Sequence, residues 1–141
     1  MHRRGQAPGR AAMAALCWGL PHDGAHRLPA SPAPRFGRLA DGPLPDGPGE
    51  SFGTLLETGG ARVLRIASRA HADPPGQWHD QPEDEFVLLV AGAAVLGFAD
   101  GSEMRLAPGD WAVLPAGCRH RVAWTDPAAV TLWLAVHLPP S

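Results

Sequence analysis

The sequence predicts an all-β fold, a double-sheet jelly-roll barrel that follows a disordered N-terminal tail. Two observations lead to this prediction. About eight short apolar runs are separated by turns rich in Gly, Pro and Asp, roughly every eight to twelve residues. No run beyond the tail has the convincing 3.6-residue apolar period of an amphipathic helix. A chain of 141 residues is long enough for one such domain and too short for two.

The N-terminal part differs in composition from the rest of the chain. Residues 1–34 are rich in Ala, Gly, Pro and Arg, which predicts a disordered tail, and residues 35–141 are predicted to form the barrel. Residues 11–20 resemble a weak secretory signal after several arginines, but they are only mildly hydrophobic and lack a clear cleavage site. Met13 is an alternative start of the protein.

The strands are placed by alternating apolar residues between turn signals. The strongest turn is Asp100-Gly101, which predicts a β-hairpin. Residues 71–76 contain two prolines and a glycine and are predicted to be a loop, whereas residues 51–57 fit either a helical turn or an edge strand. Strands are predicted at residues 62–68, 77–81, 85–90, 93–98, 103–106, 111–114, 120–124 and 130–137.

Charge and hydropathy exclude two classes of partner. The net charge is −2 and the chain contains no Lys, so no basic field is available to bind nucleic acid. The longest apolar run, residues 86–99, is shorter than the about 20 residues that cross a bilayer, which predicts no membrane span. Cys17 and Cys118 form no disulfide framework, which predicts a reducing, cytoplasmic location.

Four polar residues are candidates for a metal site. His79 and Gln81 lie two apart and share one face of a strand, and Glu85 opens the next strand beside them. His120 begins a later strand after a Pro-Ala-Gly turn. If these faces line the barrel interior, two imidazoles and one carboxylate converge and leave open positions on a divalent metal ion. Fe, Mn, Ni and Zn all suit these ligands, so the ligands do not identify the metal.

The spacing of these residues resembles the two motifs of the cupin family. The second motif matches completely as far as its histidine, and the first departs from the family pattern because Gln81 replaces a second histidine. A further departure is that no glycine lies six residues before His79. The matching positions are His79-x-Gln81, three residues, Glu85, six residues and Gly92, then Gly109, five residues, Pro115-x-Gly117, two residues and His120.

The resemblance implies a barrel of six to eight strands, frequently a homodimer, that often carries one divalent metal. Two segments, residues 68–78 and 122–137, are similar to small single-domain bacterial cupins without an assigned activity. The resulting hypothesis is a metal-binding cupin that holds its ion through His79, Gln81, Glu85 and His120 and binds a small polar molecule. It would be a dioxygenase or isomerase if it is an enzyme. The alternative is a metal-free small-molecule-binding or sensory module, which the neutral Gln81 favours.

A second register of the first motif would use Asp80 as a ligand in place of His79 and Gln81. This register gives an oxygen-rich metal site of Asp80, Glu85 and His120.

Other residues receive structural interpretations. His71 and His137 flank strand ends and are interpreted as structural or exposed. Cys118 is interpreted as a small turn residue, and Arg119 and Arg121 are expected to point away from the barrel interior. Four tryptophans are predicted to line or plug the barrel: Trp78, Trp111, Trp124 and Trp133.

Overall fold

The computed structural model describes residues 31–140, and the predicted tail lies outside the described residues as far as residue 30. Phe36–Ser141 forms one unit. Its described part contains one 3₁₀ turn, Leu39–Asp41, and eight strands. The strands are β1 Gly49–Thr58, β2 Ala61–Arg69, β3 Asp84–Ala91, β4 Ala94–Phe98, β5 Glu103–Leu106, β6 Trp111–Leu114, β7 His120–Thr125 and β8 Val130–Leu138.

The strands form two antiparallel sheets. The larger sheet has the order β1-β2-β8-β3-β6, and the smaller has the order β5-β4-β7. Strand β8 is the central strand of the larger sheet and pairs with both β2 and β3. The predicted all-β, double-sheet jelly roll is therefore confirmed.

The hydrophobic core contains inward-facing residues from both sheets. Alternate residues of β3 are buried, as expected for a strand with one face on the core. Most of β4 is buried, and its side chains pack with those of β3, β6 and β8. The core consists of Val87, Leu89, Ala94, Leu96, Leu106, Ala112, Leu114, Trp133 and Ala135.

Residues 77–81 do not form the predicted strand. Only His79 pairs with another strand, through a single bridge to His120 whose two N···O distances are 2.7 and 3.2 Å. Gly76 and Pro82 flank the segment, and proline provides no N–H with which to continue a ladder. The backbone of His79 is nevertheless fixed beside β7 by this bridge, which keeps the two histidines adjacent.

Two other expectations are resolved by the fold. Residues 51–57 belong to the edge strand β1 rather than to a helical turn. The prediction that four tryptophans line or plug the barrel was wrong for three of them. Trp111 is 61% exposed and Trp124 is 40% exposed, and Trp78 belongs neither to the core nor to the cavity lining. Trp111 stacks on Phe86 outside the core, with ring centroids 6.0 Å apart. Trp133 is buried in the core as predicted.

Candidate functional site

A cavity of about 140 Å³ lies inside the barrel. Eight of its lining side chains are aliphatic or aromatic, and they come from strands of both sheets. All four predicted site residues line the same cavity, together with two residues that the sequence did not assign to it. The six polar lining residues are Glu50, His79, Gln81, Glu85, His120 and His137.

These six residues form the polar wall of the cavity, which is called the chamber below. Glu85 lies at the centre of the polar wall and is buried, with 7% of its surface exposed. Its Oε2 accepts a hydrogen bond of 2.6 Å from Nε2 of Gln81 and lies 3.4 Å from Nε2 of His120. A buried carboxylate without such partners would be strongly destabilising. The structure therefore brings three of the four predicted residues into direct contact.

His120 is held in an orientation that suits a metal ligand. Its Nδ1 lies 2.8 Å from the carbonyl oxygen of Cys118, which is a hydrogen-bond acceptor only, so Nδ1 carries a proton and donates it. In the neutral ring the lone pair is then on Nε2, the nitrogen that faces Glu85. Histidines that bind metals commonly donate their other ring N–H to a backbone carbonyl in this way.

The pKa values of this pair shift in opposite directions. Burial by itself would raise the pKa of Glu85, but the contact with His120, the charge of His137 and the bond from Gln81 together lower it. Burial would likewise lower the pKa of His120, but Glu85 and the Cys118 carbonyl raise it instead. Without a metal ion, Glu85 and His120 therefore stabilise each other as an ion pair.

His79 is placed differently from the other three. Its side chain is half exposed at the rim of the cavity, and its Nε2 lies 2.9 Å from Oδ2 of Asp73. The rings of His79 and His120 are adjacent, with centroids 5.5 Å apart. His79 thus lies beside the other predicted ligands, while the nitrogen that contacts Asp73 is not available to an ion in this arrangement.

A second polar group lies next to this rim. Glu50, His71 and Asp73 are the described residues whose ligand atoms all lie within 4.8 Å of one another. Nε2 of His71 is 3.0 Å from Asp73 and 3.3 Å from Glu50. Burial alone would raise the pKa of Asp73, but the backbone N–H of Val122 and the two histidines lower it. The interpretation of His71 as structural or exposed missed this group.

The fold orients the members of this second group as well. Oε2 of Glu50 accepts a hydrogen bond of 2.6 Å from Ser68, and the Ser68 hydroxyl accepts one of 3.0 Å from the indole N–H of Trp133. The backbone of His71 is fixed to the side chain of Thr125 by bonds of 2.7 and 2.8 Å. No local sequence signal could have indicated the group, because its members come from β1 and from the loop after β2.

His137 also differs from the sequence interpretation. It lies directly opposite Glu85 in the pairing of β3 with β8, and it is buried. Its Nε2 is 3.6 Å from Oε1 of Glu85, and its Nδ1 is 3.4 Å from Oε2 of Glu83. Neither contact has the geometry of a hydrogen bond, and Nδ1 is buried without a hydrogen-bond partner. A histidine interpreted as structural or exposed is therefore buried and lines the chamber.

The remaining candidates lie outside the chamber. Asp80, the alternative to His79 and Gln81, is exposed and is not among the residues that line the cavity. Cys118 is a half-buried free thiol on the turn before β7. Arg119 and Arg121 point away from the cavity, as expected, and lie 5.8 and 5.9 Å from the ring of Trp78.

The fold and the site together define a class of protein. The Cupin domain family profile matches residues 68–137, which include every predicted ligand. The chain belongs to the cupin superfamily and is one of its small members. It is 47% identical to a candidate mannose-6-phosphate isomerase from Ralstonia eutropha JMP134, over 75% of this chain and 99% of that one, with a TM-score of 0.70.

More distant structures share the fold alone. A conserved protein from Streptococcus pyogenes is 19% identical, with 78% of this chain and 91% of that one covered and a TM-score of 0.61. A cupin superfamily protein from Desulfitobacterium hafniense is 17% identical, with coverage of 66% and 80% and a TM-score of 0.55. No curated protein matches the sequence. Among the described residues, no helix has the length and hydrophobicity needed to cross a membrane.

Proposed function

We propose that this cupin binds a divalent metal ion in its chamber through His79, Gln81, Glu85 and His120, and binds a small polar molecule beside that ion. The observation that carries the proposal is the buried carboxylate of Glu85 next to Nε2 of His120, whose other nitrogen is held by a backbone carbonyl. Imidazole, carboxylate and amide oxygen are all donors that Fe, Mn, Ni and Zn accept.

The chain's own residues would hold such an ion and shape its surroundings. Glu85 provides a negative charge, and its lowered pKa keeps it ionised at neutral pH. A bound divalent cation supplies a Lewis acid that polarises carbonyl or hydroxyl oxygens. The apolar side chains around the polar wall exclude water, which strengthens the electrostatic interactions inside. If the protein is an enzyme, isomerisation or O₂-dependent oxidation of a small polar molecule fits this setting.

The size and charge of the cavity restrict the ligand. A cavity of about 150 Å³ holds a molecule the size of benzene, and this chamber is similar at about 140 Å³. Among the described residues, the cavity lining includes no arginine, while two glutamates contribute to it. A bound divalent ion would offset the charge of the two glutamates, so volume is the stronger restriction. The volume of the chamber favours a molecule smaller than the sugar phosphate named for the Ralstonia relative.

Metal content is the direct test. Elemental analysis of protein purified without added metal should find about one divalent ion per chain, and the His120→Ala variant should lose it. Asp80→Asn is the matched control, because Asp80 is exposed and does not line the cavity. Background metal in both the wild type and His120→Ala would exclude the proposal. Loss of metal in Asp80→Asn would instead favour the alternative register.

A metal-free small-molecule-binding module is the second candidate. It is supported by the contacts of His79 and Gln81, whose polar nitrogens already bind Asp73 and Glu85. Trp133 is buried in the cavity wall, so a ligand that enters should change its fluorescence. A change that persists with excess chelator and disappears in Trp133→Phe would support this function. A change that chelator abolishes would support the metal site.

A further inference from the structure

His137 is a buried imidazole whose place in the chamber comes from the central strand β8. In the pairing of β3 with β8, His137 is the direct partner of Glu85, so both side chains project from the same face of the larger sheet. Glu85 is 7% exposed, His120 is 5% exposed and His137 is 8% exposed. The chamber therefore encloses one carboxylate between two imidazoles that come from different sheets.

The hydrogen-bonding capacity of His137 is not satisfied within the protein. Its Nε2 is 3.6 Å from Glu85, which is beyond hydrogen-bond distance, and its Nδ1 is buried with no hydrogen-bond partner. A buried polar nitrogen without a partner is destabilising. By contrast, His120 has a full hydrogen bond from Nδ1 to the Cys118 carbonyl. The buried Nδ1 lies toward Glu83, and Nε2, which faces Glu85 without a hydrogen bond, is the nitrogen that is available to a ligand in the cavity.

We infer that His137 is a ligand of the ion held by Glu85 and His120 and supplies a stronger donor than the amide of Gln81. The inference rests on the proposed metal-binding function. Imidazole is a stronger ligand than a neutral amide for first-row divalent metals. The strand β8 thus compensates for the histidine that is absent at residue 81.

The distances between Glu85, His120 and His137 show which side chains must move when an ion binds. The two imidazoles approach different oxygens of Glu85, with His120 at 3.4 Å from Oε2 and His137 at 3.6 Å from Oε1. The carboxylate therefore lies between them, and it must turn for one ion to contact both nitrogens. The ligand atoms of Glu85, His120 and His137 do not all lie within 4.8 Å of one another, so side-chain rotations, which leave the backbone in place, must bring them together around one ion.

The competing role for His137 is that of a charge partner for Glu83 and Glu85 without any metal contact. A charge partner would affect the stability of the metal-free protein and leave the coordination of the ion unchanged. A metal ligand would change both the affinity and the number of imidazoles bound to the ion. These readouts separate the two roles without measuring any enzyme activity.

The experiment uses the full-length protein loaded with Cu²⁺ and compares His137→Phe with His71→Phe. Both variants remove one imidazole that contacts carboxylates, but only His137 lines the cavity. Pulsed EPR should count one imidazole fewer in His137→Phe than in the wild type, and none fewer in His71→Phe. Affinity should fall by about 100-fold or more in His137→Phe, since removing an outer-sphere partner alone costs about 10- to 100-fold. His137→Gln replaces His137→Phe if the latter does not fold.

The outcomes distinguish the proposed metal site from the role of His137 as a ligand. If the wild type binds Cu²⁺ and His120→Ala does not, the proposed metal site stands. Unchanged affinity and imidazole count in His137→Phe would then overturn the inference alone. Loss of the imidazole signal in His71→Phe would place the ion in the group of Glu50, His71 and Asp73 and would overturn it as well. Absence of metal binding in the wild type would overturn the metal site and the inference together.

Discussion

At the scale of single residues, the chamber depends on mutual compensation between buried groups. Glu85 and His120 are both almost completely buried, and each makes the charged form of the other more favourable. Removing one partner of a buried pair leaves an uncompensated charge, which is much more destabilising than replacing both. Substitutions of these residues should therefore be judged by metal content and by stability together.

The first prediction concerns the pH dependence of stability in the metal-free protein. The pKa of Glu85 is lowered on folding, so its contribution is present above its ordinary pKa of 4.5 and is lost as the pH falls through the lowered value. The pKa of His120 is raised, so its contribution is present below its ordinary pKa of 6.5 and is lost as the pH rises through the raised value. The pair should stabilise most between these two ordinary values.

Urea unfolding with chelator present measures this effect. Between the two ordinary pKa values, His120→Gln should be less stable than the wild type by about 1.5–3 kcal/mol, the usual contribution of a hydrogen bond to a charged group. The difference should shrink as the pH rises from 6.5 through the raised pKa of His120, because the unfolded state loses its proton first and folded His120 loses its charge at the raised value. A difference that stays constant across this range would contradict the assigned ion pair.

The second prediction is that Gln81→His strengthens metal binding. The side chain of Gln81 already contacts Glu85 inside the chamber, and imidazole is the stronger donor for these metals. We expect a gain of about tenfold, which corresponds to about 1.4 kcal/mol. Isothermal titration with Zn²⁺ measures it, with Asp80→His as the control that adds an imidazole at an exposed position. Equal gains in the two variants would show that the chamber is not the binding site.

At the scale of elements, the turns control how the two sheets meet. Gly92 follows β3 and has a φ of +85°, a conformation that residues with a Cβ rarely adopt. A Cβ at this position would lie 2.5 Å from Oγ1 and 2.7 Å from Cα of Thr131. Thr131 belongs to the central strand β8 and its hydroxyl bonds to the backbone of Ala93. Gly92 therefore permits a close approach between the β3–β4 turn and the central strand.

The third prediction compares two glycines with the same backbone conformation. Gly101 has a φ of +86° in the hairpin between β4 and β5, but a Cβ on this residue would have no neighbouring atom within 4 Å. Gly101→Ala should cost about 1–2 kcal/mol from backbone strain alone. Gly92→Ala should cost about 1–3 kcal/mol more because of the steric overlap with Thr131. Urea unfolding of both variants tests this, and equal losses would refute the steric contribution.

At the scale of the whole molecule, five of the eleven large apolar side chains that are exposed among the described residues lie on the two edge strands of the larger sheet. Phe52 in β1 is 60% exposed, and Trp111 and Val113 in β6 are 61% and 56% exposed. Both strands lie at the edges of their sheet, where backbone groups remain available for pairing. Trp111 and Val113 are two such residues on one edge strand, and exposed apolar surface of this kind commonly marks protein contacts.

The fourth prediction is the homodimer that the family resemblance implies. Light scattering after size-exclusion chromatography should give twice the mass of one chain. We expect Trp111→Ser or Val113→Ser to weaken the dimer, because each removes apolar area from the edge strand β6. Met104→Ser is the control, since Met104 is 39% exposed but lies in β5 of the smaller sheet. A monomeric wild type at micromolar concentration would contradict the prediction.

Local sequence signals are sufficient to predict most of the fold. Turn residues such as Asp100-Gly101 and Pro115-Ala116-Gly117 act within a few residues of chain, so the strands between them could be located. The segment 77–81 was the exception, because whether a short polar run forms a strand depends on a partner that is distant in sequence. Only His79 found such a partner, in β7.

The sequence by itself determined the all-β fold, most of the turn positions and four of the six polar residues that line the chamber, since these follow from alternation and local turn chemistry. Only the tertiary structure decided which of those residues contact one another and which further residues lie beside them. Glu85 faces His137 because β8 pairs with β3 in one particular register, and His79 contacts Asp73 because a loop folds over the rim. Register and loop packing depend on contacts between distant parts of the chain, which no local pattern contains.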